Sequence, residues 1–98
     1  MITRIVRMSF QPERVQDFEA IFEASKTKIR NFEGCLYLSL HRDHHHSNVY
    51  YTLSHWESQM SLDLYRNSPL FKSTWSRTKE LFDEQPLAFS LDEMIRLQ

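Results

Sequence analysis

Residues 34–56 read GCLYLSLHRDHHHSNVYYTLSHW. Two runs in this stretch alternate with a period of two, the spacing at which successive side chains of a strand point to opposite faces. From Cys35 to His41, Leu36, Leu38 and Leu40 alternate with Tyr37, Ser39 and His41. From Val49 to Trp56, Val49, Tyr51, Leu53 and His55 alternate with Tyr50, Thr52, Ser54 and Trp56. The intervening RDHHHSN (42–48) is polar and short enough to close a hairpin. The middle of the chain is therefore expected to be an antiparallel strand pair.

Upstream lies a helix. Val15, Phe18, Phe22, Ser25, Ile29 and Phe32 recur at alternating spacings of three and four, and Ile21 widens the stripe. Gln16, Asp17, Glu19, Glu23, Lys26 and Arg30 form the opposite, polar face. Pro12 suits the first turn, where its missing N–H is not needed. Gly34, the only glycine, falls where a left-handed residue would stop the helix. Before it, Ile2–Phe10 reads as a strand with Ile2, Arg4, Val6, Met8 and Phe10 on one face. Thr3, Ile5, Arg7 and Ser9 share the other.

Downstream, Ser58 can cap a second helical region carrying Met60, Leu62, Leu64 and Tyr65. Ser68–Pro69 breaks it and begins again, and Leu70, Phe71, Trp75, Leu81 and Phe82 continue the stripe. After Pro86, Leu87, Phe89 and Leu91 alternate with Ala88, Ser90 and Asp92 as a fourth strand. The order β-α-β-β-α-β predicts an α+β, ferredoxin-like protomer, a four-stranded antiparallel sheet with two helical regions on one face. Each helical region is expected to cross over, right-handed, between parallel neighbouring strands.

The 98 residues 1–98 make one domain. A chain this long buries roughly 65 % of its unfolded surface, close to the margin for independent folding. Aromatics at 13 % of the residues supply much of the core, each ring burying about 150–250 Å². The composition excludes a disordered or low-complexity chain. Lys and Arg total 12 against 13 Asp and Glu, with the signs interleaved, so no nucleic-acid partner is expected. The lone Cys35 cannot form an internal disulfide. No stretch approaches the ~20 apolar residues of a membrane span, and Thr3, Arg4 and Arg7 interrupt any signal-peptide core. A cytoplasmic protein with no membrane partner is the expectation.

Helices can cover only one face of the sheet. Leu36, Leu38, Leu40 and Leu87, Phe89, Leu91 are aliphatic, while the opposite side of the middle pair carries Tyr37, Tyr50 and Trp56 among Ser39, Thr52 and Ser54. The bare face would then expose more apolar surface than a monomer usually tolerates, so a homodimer is expected. The alternative is an amphipathic face left wet.

His41, His44, His45 and His46 surround Asp43, and imidazoles with a carboxylate can hold zinc or copper. Loop polarity explains them as well, and no metal is expected. Arg4 and Arg7 could bind an anion, but strand cations more often reach for solvent along their stems. With one glycine there is no phosphate loop or dinucleotide turn, so no cofactor is expected. Trp56, Tyr65, Phe71 and Trp75 can be core or pocket. The break at Pro69 favours pocket, because an interrupted helix packs less closely on the sheet and leaves a gap for aromatics and hydroxyls to line.

Three segments, NFEGCLYLSL (31–40), SHWES (54–58) and YRNSPLFKSTW (65–75), resemble the antibiotic biosynthesis monooxygenase domain family, small dimeric α+β barrels. The resemblance implies that fold, a homodimer, and possible chemistries that include cofactor-independent quinone formation and heme degradation. Heme-degrading relatives carry a ligating His where this sequence has Trp75 and an Asn where it has Val6, so heme degradation is disfavoured. Many relatives have a His near Tyr65, and quinone-forming members an Asn near Thr52. The resulting reading is a cofactor-independent monooxygenase for a small aromatic or quinol-like substrate. Trp56 N–H and Tyr65 would serve as donors, with Tyr65 also a candidate proton shuttle, and Thr52 would position the substrate. Phe71, Trp75, Tyr50 and Ser54 would contact it. The rival is a non-catalytic dimeric module binding a small hydrophobic metabolite.

Overall fold

A computed structural model describes the whole chain, Met1–Gln98. Its strands are β1 (Ile2–Ser9), β2 (Cys35–Arg42), β3 (Val49–Trp56) and β4 (Leu87–Asp92). Its helices are α1 (Val15–Arg30), entered through a 3-10 turn at Pro12–Arg14, α2 (Gln59–Arg66) and α3 (Pro69–Lys79). The sheet order is β2-β3-β1-β4, and every adjacent pair is antiparallel. The expected parallel neighbours are corrected by this order. β1 and β2 do run parallel, but β3 lies between them, and β1 likewise separates β3 from β4. Each crossover skips one strand, and the strand that fills the gap is antiparallel to both.

The local signals act as their chemistry requires. Ser58 caps α2 by accepting from Ser61 N–H, and Ser68 caps α3 by accepting from Phe71 N–H, with Pro69 at its first position. Gly34 has φ +91°, a region open to glycine at little cost. A Cβ there would also collide with the Ser61 side chain, so the turn after α1 and the start of α2 are in direct contact. Phe18, Ser25 and Ile29 of the α1 stripe are buried, and Ser25 Oγ donates to Ile21 O at 2.8 Å within its own helix.

Register decides which face is which. Tyr50, Thr52 and Ser54 pair with Arg42, Leu40 and Leu38, whereas Tyr37 pairs with His55, a bulge separating it from Cys35. Tyr37 is therefore on the opposite face from Tyr50 and Trp56, contrary to the expectation that the three share one side. Leu38 and Leu40 face the helices; Leu87, Phe89 and Leu91 face away from them, beside Ile5 and Leu53. The bare face is the aliphatic side of β4 with Tyr37.

The core between sheet and helices has two centres. At the C-terminal end of β1, Phe10 stacks on Phe18 with centroids 4.2 Å apart, together with Met8, Tyr50 and Leu81. At its N-terminal end, Trp56, Cys35 and Leu62 form the second centre, flanked by Ile2, Phe32 and Tyr65. Full burial of the Trp56 ring, 1 % exposed, stabilises the fold by roughly 4–6 kcal/mol at about 25 cal/mol per Å². No helix is long and apolar enough to cross a membrane.

Candidate functional site

Between the two centres lies a cavity of about 250 Å³. Its floor is the helix-facing side of the sheet: Arg4, Val6 and Met8 of β1, Thr52, Ser54 and Trp56 of β3, Leu38 of β2 and Ala88 of β4. Phe18, Phe22 and Ile29 of α1 close one side, and Leu62, Tyr65, Phe71, Thr74 and Trp75 close the other. The restart at Ser68–Pro69 makes this shape possible. It turns one crossover into two short helices, and Tyr65 at the end of the first meets Phe71 at the start of the second.

The aromatic wall is continuous. Trp56 and Tyr65 stack with centroids 4.8 Å apart, Tyr65 meets Phe71 edge-on at 5.2 Å, and Phe71 stacks on Trp75 at 5.8 Å. Such contacts add about 0.5–1.5 kcal/mol each beyond area burial and hold the rings in place. Polar groups on the wall are few. Trp56 Nε1–H donates to Ser54 Oγ at 3.0 Å. The donor that sequence assigned to a ligand is thus used inside the free protein. Ser54 has no acceptor in the chain for its own proton, and accepting from the indole polarises that O–H. The hydroxyls of Thr52 and Tyr65 make no hydrogen bond with the chain.

Burial pushes the Tyr65 phenol well above its ordinary value, and Cys35 nearby adds to the shift. Tyr65 is therefore a neutral donor at physiological pH, and a base only in strong alkali. Burial likewise pushes the Cys35 thiol up, so it is a protonated, structural cysteine. No Asp, Glu, His or Cys lines the cavity.

Thr52, Ser54, Trp56, Tyr65, Phe71 and Trp75 come together around this one space. Tyr50 does not. It lies under the first half of α1, edge-on to Phe18, and its hydroxyl donates to Glu19 at 2.8 Å. Its position six residues before Trp56 carries it about 20 Å along the strand, into the other core centre. Tyr50 is corrected to a core residue. Asp43 orders the histidine loop by accepting from His45 N–H and His46 N–H, both at 3.0 Å, and no group of three or more His, Cys, Asp or Glu is placed to share an ion.

Sequence reasoning sent Arg4 to solvent and passed over Arg66. Both line the cavity, and burial first and the Arg66 charge second hold the Arg4 guanidinium below its ordinary value. The signal for Arg4 was its parity: a cation among Ile2, Val6, Met8 and Phe10 on the covered face.

Fold and cavity together define a small α+β protein with an apolar cavity between its sheet and a broken crossover. The sequence profile of the antibiotic biosynthesis monooxygenase family matches residues 1–76, and the chain belongs to that family. Solved structures agree on the fold. A candidate antibiotic biosynthesis monooxygenase from Caulobacter crescentus CB15 is 24 % identical, with TM-score 0.89 over 96 % of this chain and 90 % of that one. One from Bordetella bronchiseptica is 25 % identical, with TM-score 0.83 over 96 % and 97 %. A conserved protein from Methanosarcina mazei Go1 is 21 % identical, with TM-score 0.90 over 96 % and 94 %. No curated protein is similar enough in sequence to match.

Proposed function

We propose that the cavity binds a small aromatic or quinol-like molecule and promotes its monooxygenation by dioxygen, the substrate supplying the electrons. The observation that carries this reading is the make-up of the walls: stacked aromatic rings, the hydroxyls of Thr52, Ser54, Tyr65, Thr74 and Thr78, and no acidic or imidazole side chain. Family membership supports the oxygenase chemistry. The net change is a ring CH2 becoming C=O. Two C–H bonds break, one oxygen atom enters the carbonyl, and the other leaves as water, so the four electrons lost by carbon reduce dioxygen. An acidic substrate first loses a proton to solvent, since the cavity contains no base. Its anion passes an electron to dioxygen, the pair combine as a peroxide on carbon, and O–O cleavage with loss of the second C–H proton gives the ketone.

In this scheme the protein holds the anion dry and donates to the oxygen on which its charge collects. Ser54, polarised by Trp56, Thr52 and the protonated Tyr65 are the donors; Phe71 and Trp75 are the apolar clamp. The missing base favours a second reading, a binding module without turnover. Oxygen uptake by metal-stripped protein with hydroquinones and anthrone separates the two. Uptake above the uncatalysed rate, reduced at least tenfold in Thr52→Val or Tyr65→Phe, supports the enzyme. Uptake at the uncatalysed rate, with binding intact by calorimetry, leaves the module.

The assembled form in this proposal is a homodimer closed by the bare sheet faces. Leu87, Phe89, Leu91 and Tyr37 are 49 %, 52 %, 47 % and 43 % exposed there. Four strands of six to eight residues present roughly 19 by 23 Å, or about 450 Å². With exposed Met94, Ile95 and Leu97 of the tail, that approaches the ~800 Å² per partner of a standard interface. A second copy fits because a two-fold pairing sets the same aliphatic patch against itself. Phe89→Lys should shift sedimentation from dimer to monomer; a monomeric parent protein at tens of micromolar would overturn the pairing. A cytoplasmic location belongs to the same proposal and agrees with the free thiol of Cys35.

A further inference from the structure

Two guanidinium groups face this apolar cavity, and neither has a carboxylate partner. The chain's ion pairs are Arg7 with Glu84, Arg14 with Asp17, Lys26 with Glu23 and Arg96 with Glu93, all away from the cavity. Arg4, half-buried on the sheet floor, gives one N–H to the neutral Ser90 Oγ at 2.9 Å and has no other side-chain partner. A guanidinium carries five donors, so most of its fork is unused. Arg66 comes from the end of α2, exposed, and its charge is felt at Arg4. Helix polarity explains a cation at the end of α2, but nothing in the free protein offsets the half-burial of Arg4 beside it. Two like charges at one rim of an apolar space are relieved by an anion between them, and the planar fork suits a carboxylate.

Resting on the reading of the cavity as a ligand site, we propose that its ligand is a planar aromatic carboxylate, the acid group held by Arg4 and Arg66. The aromatic body lies along the Trp56–Tyr65–Phe71–Trp75 wall, opposite Phe18, Phe22 and Ile29 of α1. A cavity of about 250 Å³ suits one or two fused rings, given that about 150 Å³ admits benzene. The carboxylate fixes which end of the rings enters first, and so which carbon meets Ser54 and Thr52.

The test is calorimetric titration of the full chain with 2-naphthoate, with its neutral isostere 2-naphthamide, and with 2-naphthyl phosphate. Naphthoate is expected to bind at least tenfold more tightly than naphthamide in low salt. The preference should fall with added salt and shrink at least fivefold in Arg66→Gln and in Arg4→Gln. Arg66 is exposed, so Arg66→Gln remains informative if Arg4→Gln folds poorly. Equal affinity for naphthoate and naphthamide overturns the carboxylate while leaving the cavity reading intact. Preference for the phosphate overturns it in favour of a phosphoester ligand. Failure of all three probes overturns both this inference and the cavity reading.

Discussion

Tyr65 gives the sharpest prediction because its environment couples the site to stability in alkali. In the unfolded chain the phenol ionises near 10; in the folded protein burial holds it well higher. Above pH 10 the unfolded state loses a proton that the folded state keeps, so stability must fall as pH rises. For one phenol the loss is RT ln(1 + 10^(pH − 10)) while the folded group stays protonated, about 0.4 kcal/mol at pH 10 and about 1.4 at pH 11. Below pH 9 the stabilisation is fully present. Against a usual total of about 5–15 kcal/mol, that is measurable. Urea unfolding of parent and Tyr65→Phe proteins, followed by tryptophan fluorescence between pH 8 and 11, isolates the effect. Tyr50, also held above its ordinary value by burial and then by Glu19, contributes equally to both. The variant should lose about 1.4 kcal/mol less than the parent between pH 8 and pH 11. At pH 8 it should differ little, since the hydroxyl it removes has no partner in the chain. Identical pH slopes would refute the burial assigned to Tyr65, and with it the role of a neutral donor.

Ser54→Ala leaves the buried Trp56 N–H without an acceptor, so unfolding should show a loss of about 1–3 kcal/mol. Trp56→Phe in the same background should recover part of it. Gly34→Ala forces a Cβ into the Ser61 side chain at φ +91°; a loss of about 1–3 kcal/mol by urea unfolding is expected, with Ser61→Gly restoring some of it. Leu62→Ala, in the core centre around Trp56, should cost about 2–5 kcal/mol and weaken ligand binding by loosening Tyr65.

How far the site was legible depended on the range of the interaction involved. The caps at Ser58 and Ser68 could be read because each bond spans three residues, and the α1 stripe because its period is local. The Pro69 break announced a gap for Trp56, Tyr65, Phe71 and Trp75 to line, whereas Thr52 was named from the family resemblance. Tyr50 was misplaced because parity puts it on the same face as Trp56 but says nothing about which helix lies above it. The pairing of Trp56 with Ser54 was missed although they are only two positions apart, since their shared face could have been covered or bare.

Sequence alone determined the βαββαβ order, the aromatic content of the second crossover, and the helix and strand limits to within a residue or two, except that the last helical stripe was carried to Phe82 whereas α3 ends at Lys79 and Phe82 bridges Phe10. Those follow from local periodicity and capping, which act over one or two turns of chain. Tertiary structure alone decided which sheet face the helices cover, that β3 and β1 interpose between the parallel strands, and that Arg4 and Arg66 meet at one cavity. Arg4 and Arg66 are 62 positions apart, and no local pattern records a meeting made by β1 and α2 converging on a space between two core centres.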